Sequence, residues 1–256
     1  MTVIGWEKGK QARPRADATN SFSVSGIVRR IAGTVLIGMT LLLISACNQS
    51  LPTYRYRLTV EVDTPEGLKT GSSVIEVRAH KGGGFPGPEA GGVRGAVRGE
   101  AVAVNLGRRG ILFALLRGAE GSFTGADGYA WALLPKLPTR SSDIAALREN
   151  RRALMAVEGS ADLHPQNYPW LVRFRDTNDP MTVEQVNPAS LQSTFGTGVR
   201  LRRIRVEMTD DSPSAGRIEE MLPWLDSMRG PLDGASVMSA NGGLSNKIGS
   251  GDFSLD

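Results

Sequence analysis

The chain has 256 residues and a mass of 27.4 kDa, the size of one medium domain or two small ones. At 40% hydrophobic and 22% charged residues it is neither a wholly disordered chain nor a multi-span membrane protein. One Cys and two His exclude an internal disulfide framework and argue against a zinc or multi-histidine metal centre, and no cofactor is implied. The net charge of +4 lies ahead of Cys47, where Lys8, Lys10, Arg13, Arg15, Arg29 and Arg30 meet only Glu7 and Asp17. The neutral remainder lacks the electrostatic footprint of a nucleic-acid-binding protein.

Residues 1–26 are polar, with no apolar period, and form a long lead-in to an Arg29-Arg30 pair. A translation start near Val24 or Val28 would shorten it to an ordinary signal n-region. Residues 31–46 carry no charge and include Val35, Leu36, Ile37 and the run Leu41 to Ile44, the apolar core of an export signal. That core ends in Leu43-Ile44-Ser45-Ala46-Cys47, which resembles the bacterial lipobox. The resemblance implies a lipoprotein-type signal segment over 1–46, diacylglyceration of the Cys47 thiol and a mature chain beginning at Cys47. Asn48, in place of the aspartate linked to inner-membrane retention in enteric lipoproteins, points by the same resemblance to the periplasmic leaflet of the outer membrane. An uncleaved anchor is the rival reading, but it needs about 20 apolar residues, and this shorter run contains Gly33 and Gly38. A buried core helix would leave the Arg pair and the Cys unexplained. Twin-arginine export fits less well, because Val28 stands where Ser or Thr is expected.

A tether over 47–52 leads into strict alternation. Tyr54, Tyr56, Leu58, Val60 and Val62 lie on one face, and Arg55, Arg57, Thr59, Glu61 and Asp63 on the other, which predicts a half-buried strand. Thr64-Pro65-Glu66-Gly67 has turn chemistry, and Ser73 to Ala79 reads as an antiparallel second strand. Residues 82–99 hold eight glycines and two prolines and read as a flexible loop. Gly82-Gly83-Gly84 there lacks the Lys-Ser/Thr and helix start of a phosphate-binding loop. Glu100 to Leu106 and Ile111 to Leu116 predict a hairpin across Gly107 to Gly110, and Tyr129 to Leu134 a short strand.

Ser141-Ser142-Asp143 supplies capping oxygens for a helix whose apolar side carries Ile144, Leu147, Leu154 and Val157, with Arg148, Arg151 and Arg152 opposite and Gly159 beyond its end. Pro169 to Arg175 predicts a strand, Pro188 to Thr194 a short helix, and Val199 to Met208 a long strand. A change of phase at Arg202-Arg203 in that strand implies a β-bulge. Ser214 to Leu222 predicts a further short helix, and 227–256, dominated by Gly, Ser, Asn and Asp, a disordered tail. The expectation is one α+β domain over 53–226, a mainly antiparallel sheet with one or two helices, behind an N-terminal leader.

Several residues of the second half, Leu171 to Asp176, Asn178-Asp179-Pro180, Phe195-Gly196-Thr197-Gly198-Val199 and Leu222-Pro223-Trp224-Leu225, resemble a group of uncharacterised, mainly alphaproteobacterial proteins. Tyr56 to Val60 with Thr64-Pro65 fits the same group, from which no activity carries over.

Candidate chemistry is sparse. Asp176-Thr177-Asn178-Asp179 is similar to the start of a calcium loop, yet Met181 stands where Gly is needed and Asn187 where Glu is needed. An Asx-turn before Pro180 is the simpler reading, with no metal. His164 and Trp170 lie in the polar-aromatic stretch His164 to Trp170. His164 is a general base only if the fold brings an acid such as Asp176 or Asp179 to it. Ser72-Ser73 lacks the glycine spacing of a nucleophile elbow. Asp210-Asp211 and Glu219-Glu220 become paired carboxylates only if the fold converges them. The leading expectation is therefore a lipid-anchored, non-catalytic binding or structural module of the cell envelope. Its partners would be the membrane, through the lipid, and an envelope protein. A small periplasmic hydrolase and a bitopic membrane protein are the alternatives.

Overall fold

The structure, a computed structural model, describes residues 51–81, 93–119, 125–136, 143–239 and 241–255. The leader, Cys47 and residues 82–92 of the Gly-rich stretch lie outside these. The described chain is mainly antiparallel β-sheet with short helices.

The first alternating segment is β1 (Tyr54–Thr64), and its partner β2 (Gly67–Lys81) runs well beyond the expected strand. The Pro65-Glu66 turn sets their register, from Thr64 opposite Gly67 to Tyr54 opposite Val77. β3 (Val93–Glu100) takes up the second half of the stretch expected to be a flexible loop. Its Val97, half-buried against the main core, and its pairing with β2 order that half despite the glycines. At Gly99 and Ala101 the chain leaves this sheet for β4 (Val102–Asn105) in a second one. Gly99 has φ +142°, and a Cβ there would lie 2.9 Å from the Val74 carbonyl oxygen, so the corner requires glycine.

β5 (Ile111–Gly118), β6 (Ser160–Asp162), β7 (Pro169–Phe174), β8 (Val183–Gln185), β9 (Arg200–Met208) and β10 (Ser254–Leu255) complete two antiparallel sheets. The larger has the order β10-β3-β2-β1-β9-β6 and the smaller β4-β5-β7-β8. The phase change in β9 is the expected bulge: Glu61 faces Arg203 and Val62 faces Leu201, leaving Arg202 as the extra residue. Tyr56, Leu58, Val60 and Val62 share the main core with Ile204 and Val206 of β9, as the alternation predicts.

Among the described residues are four α-helices, α1 (Ile144–Met155), α2 (Gln192–Phe195), α3 (Arg217–Met221) and α4 (Leu244–Lys247). The Asp143 carboxylate caps α1 by accepting from the Ala145 N–H. Tyr129–Leu133 is a 3₁₀-helix, not the expected strand. Its unbroken apolar run carries neither period, and consecutive Tyr129 and Ala130 both enter the core.

The smaller sheet has two covered faces. Val102, Val104, Leu112, Ala114 and Leu171 meet the larger sheet in the main core. Phe113, Leu115, Trp170, Val172 and Phe174, on the other face, meet Ile218, Leu222, Leu225, Leu232, Ile248 and Phe253 in a second core. Residues 227–255 are therefore not a disordered tail. The few apolar side chains of that polar stretch are spaced to lie on one sheet face, and β10 closes the contact by pairing with β3.

Candidate functional site

β7 carries His164 ahead of its first residue and Asp176 beyond its last. A six-residue strand at about 3.3 Å per residue holds those ends roughly 17 Å apart. Among the described residues, no hydrogen bond or ion pair joins His164 to Asp176 or Asp179. His164 is exposed, and its Nδ1 accepts from the Gln166 N–H at 3.4 Å as the cap of a 3₁₀ turn. Asp176 Oδ1 accepts from both the backbone N–H and the side-chain amide of Asn178, and Asp179 Oδ1 accepts from the Met181 N–H. Thr182 Oγ1 ties the turn shut by donating to the carbonyls of Asp176 and Asp179. Both carboxylates are engaged with their own turn, and Thr177 there accepts the indole N–H of Trp224 at 2.8 Å. This polar motif thereby docks the C-terminal segment.

Trp170 is buried in the second core, with the Arg117 guanidinium 5.4 Å above its ring. Its indole N–H has no hydrogen-bond partner among the described residues. Among the described residues, no three His, Cys, Asp or Glu side chains converge as metal ligands.

Ionisable groups that the fold does bring together are structural pairs. Glu100 is fully buried and accepts from Arg217 Nε at 2.8 Å and from the backbone N–H groups of Arg217 and Ile218. Glu61 meets Arg203 at 2.9 Å, and Arg202 lies 3.5 Å from Asp63. Arg205 meets Asp162, and Arg57 meets Asp211, so the arginine run of β9 lies on a charge-balanced sheet face. Asp210 and Glu219 border separate clefts, which answers for both acidic doublets. Tyr54 and Tyr56 donate to the carbonyls of Asp127 and Ala126, and burial pushes both phenols well above the ordinary range, keeping them neutral donors.

Two clefts remain. One, of about 390 Å³, is bordered by Thr53, Tyr54, Arg55, Met155, Met208, Thr209 and Asp210, where the chain enters the domain. The other, of about 300 Å³, lies against the C-terminal segment between Glu219, Asp226, Arg229, Ser250 and Ser254. Neither lining contains a histidine, so no serine or threonine hydroxyl there faces an imidazole base. Among the described residues, neither of these two linings assembles a nucleophile with an imidazole base.

The feature that sequence reasoning missed lies beside the first cleft. Glu76, its side chain 1% exposed, accepts from Arg55 at 2.6 Å and from Arg78 at 2.5 Å, with Arg98 opposite it on β3. Burial alone would raise this carboxyl, but the two guanidinium hydrogen bonds outweigh it and hold the pKa below the ordinary value. The signal was present: the two-residue turn fixes which β2 residue faces each β1 residue, and so places Glu76 beside Arg55. Compared with known proteins, the chain matches no family model, no curated protein and no solved structure, so its function is read from its own residues.

Proposed function

We propose that the protein is a lipid-anchored component of the bacterial cell envelope, whose exported domain is a non-catalytic binding or structural module. The observation that carries this reading is Leu43-Ile44-Ser45-Ala46-Cys47, behind an Arg pair and an uncharged run, with the only Cys of the chain at the acylated position. The start of the fold supports it. Leu51, only four positions beyond Cys47, is buried in the domain, and its N–H donates to the Ala79 carbonyl at 3.0 Å. No described helix is long and apolar enough to cross a membrane. The separation of His164 from Asp176 and the self-paired sheet face favour binding over hydrolysis or nucleic-acid contact. Asn48 favours the periplasmic leaflet of the outer membrane.

Metabolic labelling with a tagged fatty acid, followed by mass spectrometry of the mature N-terminus, tests the anchor. The expected product begins at an acylated Cys47, and the Cys47→Ser variant accumulates as an unlabelled, uncleaved precursor. Normal processing of Cys47→Ser, or a mature chain retaining residues 31–46, overturns the reading in favour of a bitopic anchor. Hydrolysis by purified protein that disappears in His164→Ala overturns the non-catalytic part alone.

A further inference from the structure

The larger sheet carries a cluster of arginines at the end where the chain enters. Arg55, Arg78 and Arg98 share the outer face of β1, β2 and β3 around a single carboxylate, Glu76, which is buried beneath them. Three guanidinium groups against Glu76 and Asp210, which borders the same cleft as Arg55, leave a surplus of one positive charge, and Arg152 beside Met155 adds a second. Arg78 is 57% and Arg55 38% exposed, and the exposed Arg98 forms no ion pair among the described residues. Beside them Met155, at the end of α1 and 47% exposed, borders the same cleft as Arg55. Arg152, one turn earlier, is exposed as well. An exposed methionine among arginines suits a surface that is apolar below and anionic above.

Chain reach adds an independent constraint. The Ala79 carbonyl that pins Leu51 belongs to the residue after Arg78. Cys47 is four residue steps from Leu51, and an extended chain spans at most about 3.6 Å per step, so an acylated Cys47 lies within roughly 14 Å of that point. A lipid held there leaves this end of the domain no distant position from the headgroups. Guanidinium groups bind phosphate oxygens in bidentate fashion, and they gain most where the surface charge is not yet screened, within about 8 Å.

We propose that this end is a bilayer-docking face, on which Arg55, Arg78 and Arg98 engage the phosphates of anionic phospholipids and Met155 enters the interfacial layer. The proposal rests on the lipoprotein reading of Cys47. It fixes the orientation of the domain, with β1 directed away from the membrane and the β1–β2 turn outermost.

The test uses the full-length protein purified from membranes and reconstituted in phosphatidylcholine vesicles, with or without phosphatidylglycerol. A fluorophore is placed on Met155→Cys or, as a control, on Leu68→Cys at the far turn, and the lipids carry a headgroup nitroxide. Quenching at position 155 is expected to be several-fold greater with phosphatidylglycerol, and to be lost in high salt and in Arg98→Gln/Arg152→Gln. Neither of these arginines has an ion-pair partner among the described residues, and the neutral amide sets no second carboxylate opposite the buried Glu76, so a circular dichroism melt should match that of the parent. The probe at Leu68 should stay unquenched throughout, since the 11 residues of β1 set it about 33 Å away. Equal quenching at 155 in both vesicle types, with Cys47 inaccessible to the dye, overturns the docking face and leaves the anchor standing. Dye reacting at Cys47 of the purified wild-type protein overturns the anchor itself. Arginine-dependent protection of position 155 by polyglutamate, without nitroxide quenching, assigns the face to an acidic polypeptide and overturns the bilayer.

Discussion

Single buried carboxylates show how this fold handles charge. Glu100 is out of water, and Arg217 is its only side-chain partner among the described residues, with two backbone N–H groups also donating to it. Arg217→Ala should cost about 3 kcal/mol, the low end for breaking a buried pair because the backbone donors remain. The check is a shift in urea midpoint at unchanged m-value. Glu76 and Asp252 should then pull the acid profile in opposite directions. The depressed pKa of Glu76 means its contribution is complete above the ordinary glutamate range and is lost as pH falls through the depressed folded value. Asp252 is raised, chiefly by burial, against the opposing effects of the Gly249 N–H it accepts and of Arg117. It therefore favours folding when protonated, and its contribution weakens as pH rises through its folded value. Glu76→Gln should flatten the loss of stability toward low pH, and Asp252→Asn should remove a small loss toward neutral pH. Denaturant midpoints measured across the acid range would separate the two.

Elements were legible where one period dominated. β1 follows from alternation alone, and its turn and partner follow from Pro65 and Gly67. The limits lay where a side chain of one class occupied a position of the other. Arg151 stands seven residues after Ile144 and three before Leu154, on the buried stripe of α1 rather than its exposed face. It stacks 5.0 Å over the Tyr54 ring and donates to the Pro52 carbonyl, so an apolar pattern search skips a residue that packs like core. Arg151→Ala should cost about 2–3 kcal/mol through hydrogen bonds of a charged donor. Its exposed neighbour Arg152→Ala should stay within about 0.5 kcal/mol. Thermal denaturation of the pair tells them apart, and equal effects would refute the inward placement. The candidate site was less legible than the elements, because Asp176, Asp179 and His164 are chemically versatile residues whose turn-closing roles depend on neighbours two positions away. The C-terminal segment failed for a different reason. Its composition is that of unfolded chain, and only the aromatic sheet face it covers shows why Leu232, Ile248 and Phe253 are spaced as they are.

At the scale of the whole domain, the smaller sheet is a middle layer. β5 reads Ile-Leu-Phe-Ala-Leu-Leu because both of its faces are covered, as in a central strand. Phe113, Phe174, Trp224 and Phe253 close the outer core with ring centroids 5.5 to 6.0 Å apart. Phe253→Ala should cost about 3–5 kcal/mol. Truncation after Ser227 should bind a hydrophobic dye and aggregate; a truncated domain that melts like the full chain would refute the two-core description. The order of the sequence gives this layer a further meaning. Phe113, Trp170 and Phe174 stand long before Ile248 and Phe253, so wherever the chain folds, one aromatic wall stays uncovered until those later residues arrive. A chain cut ahead of Ile248 would present that greasy surface to holding chaperones and proteases.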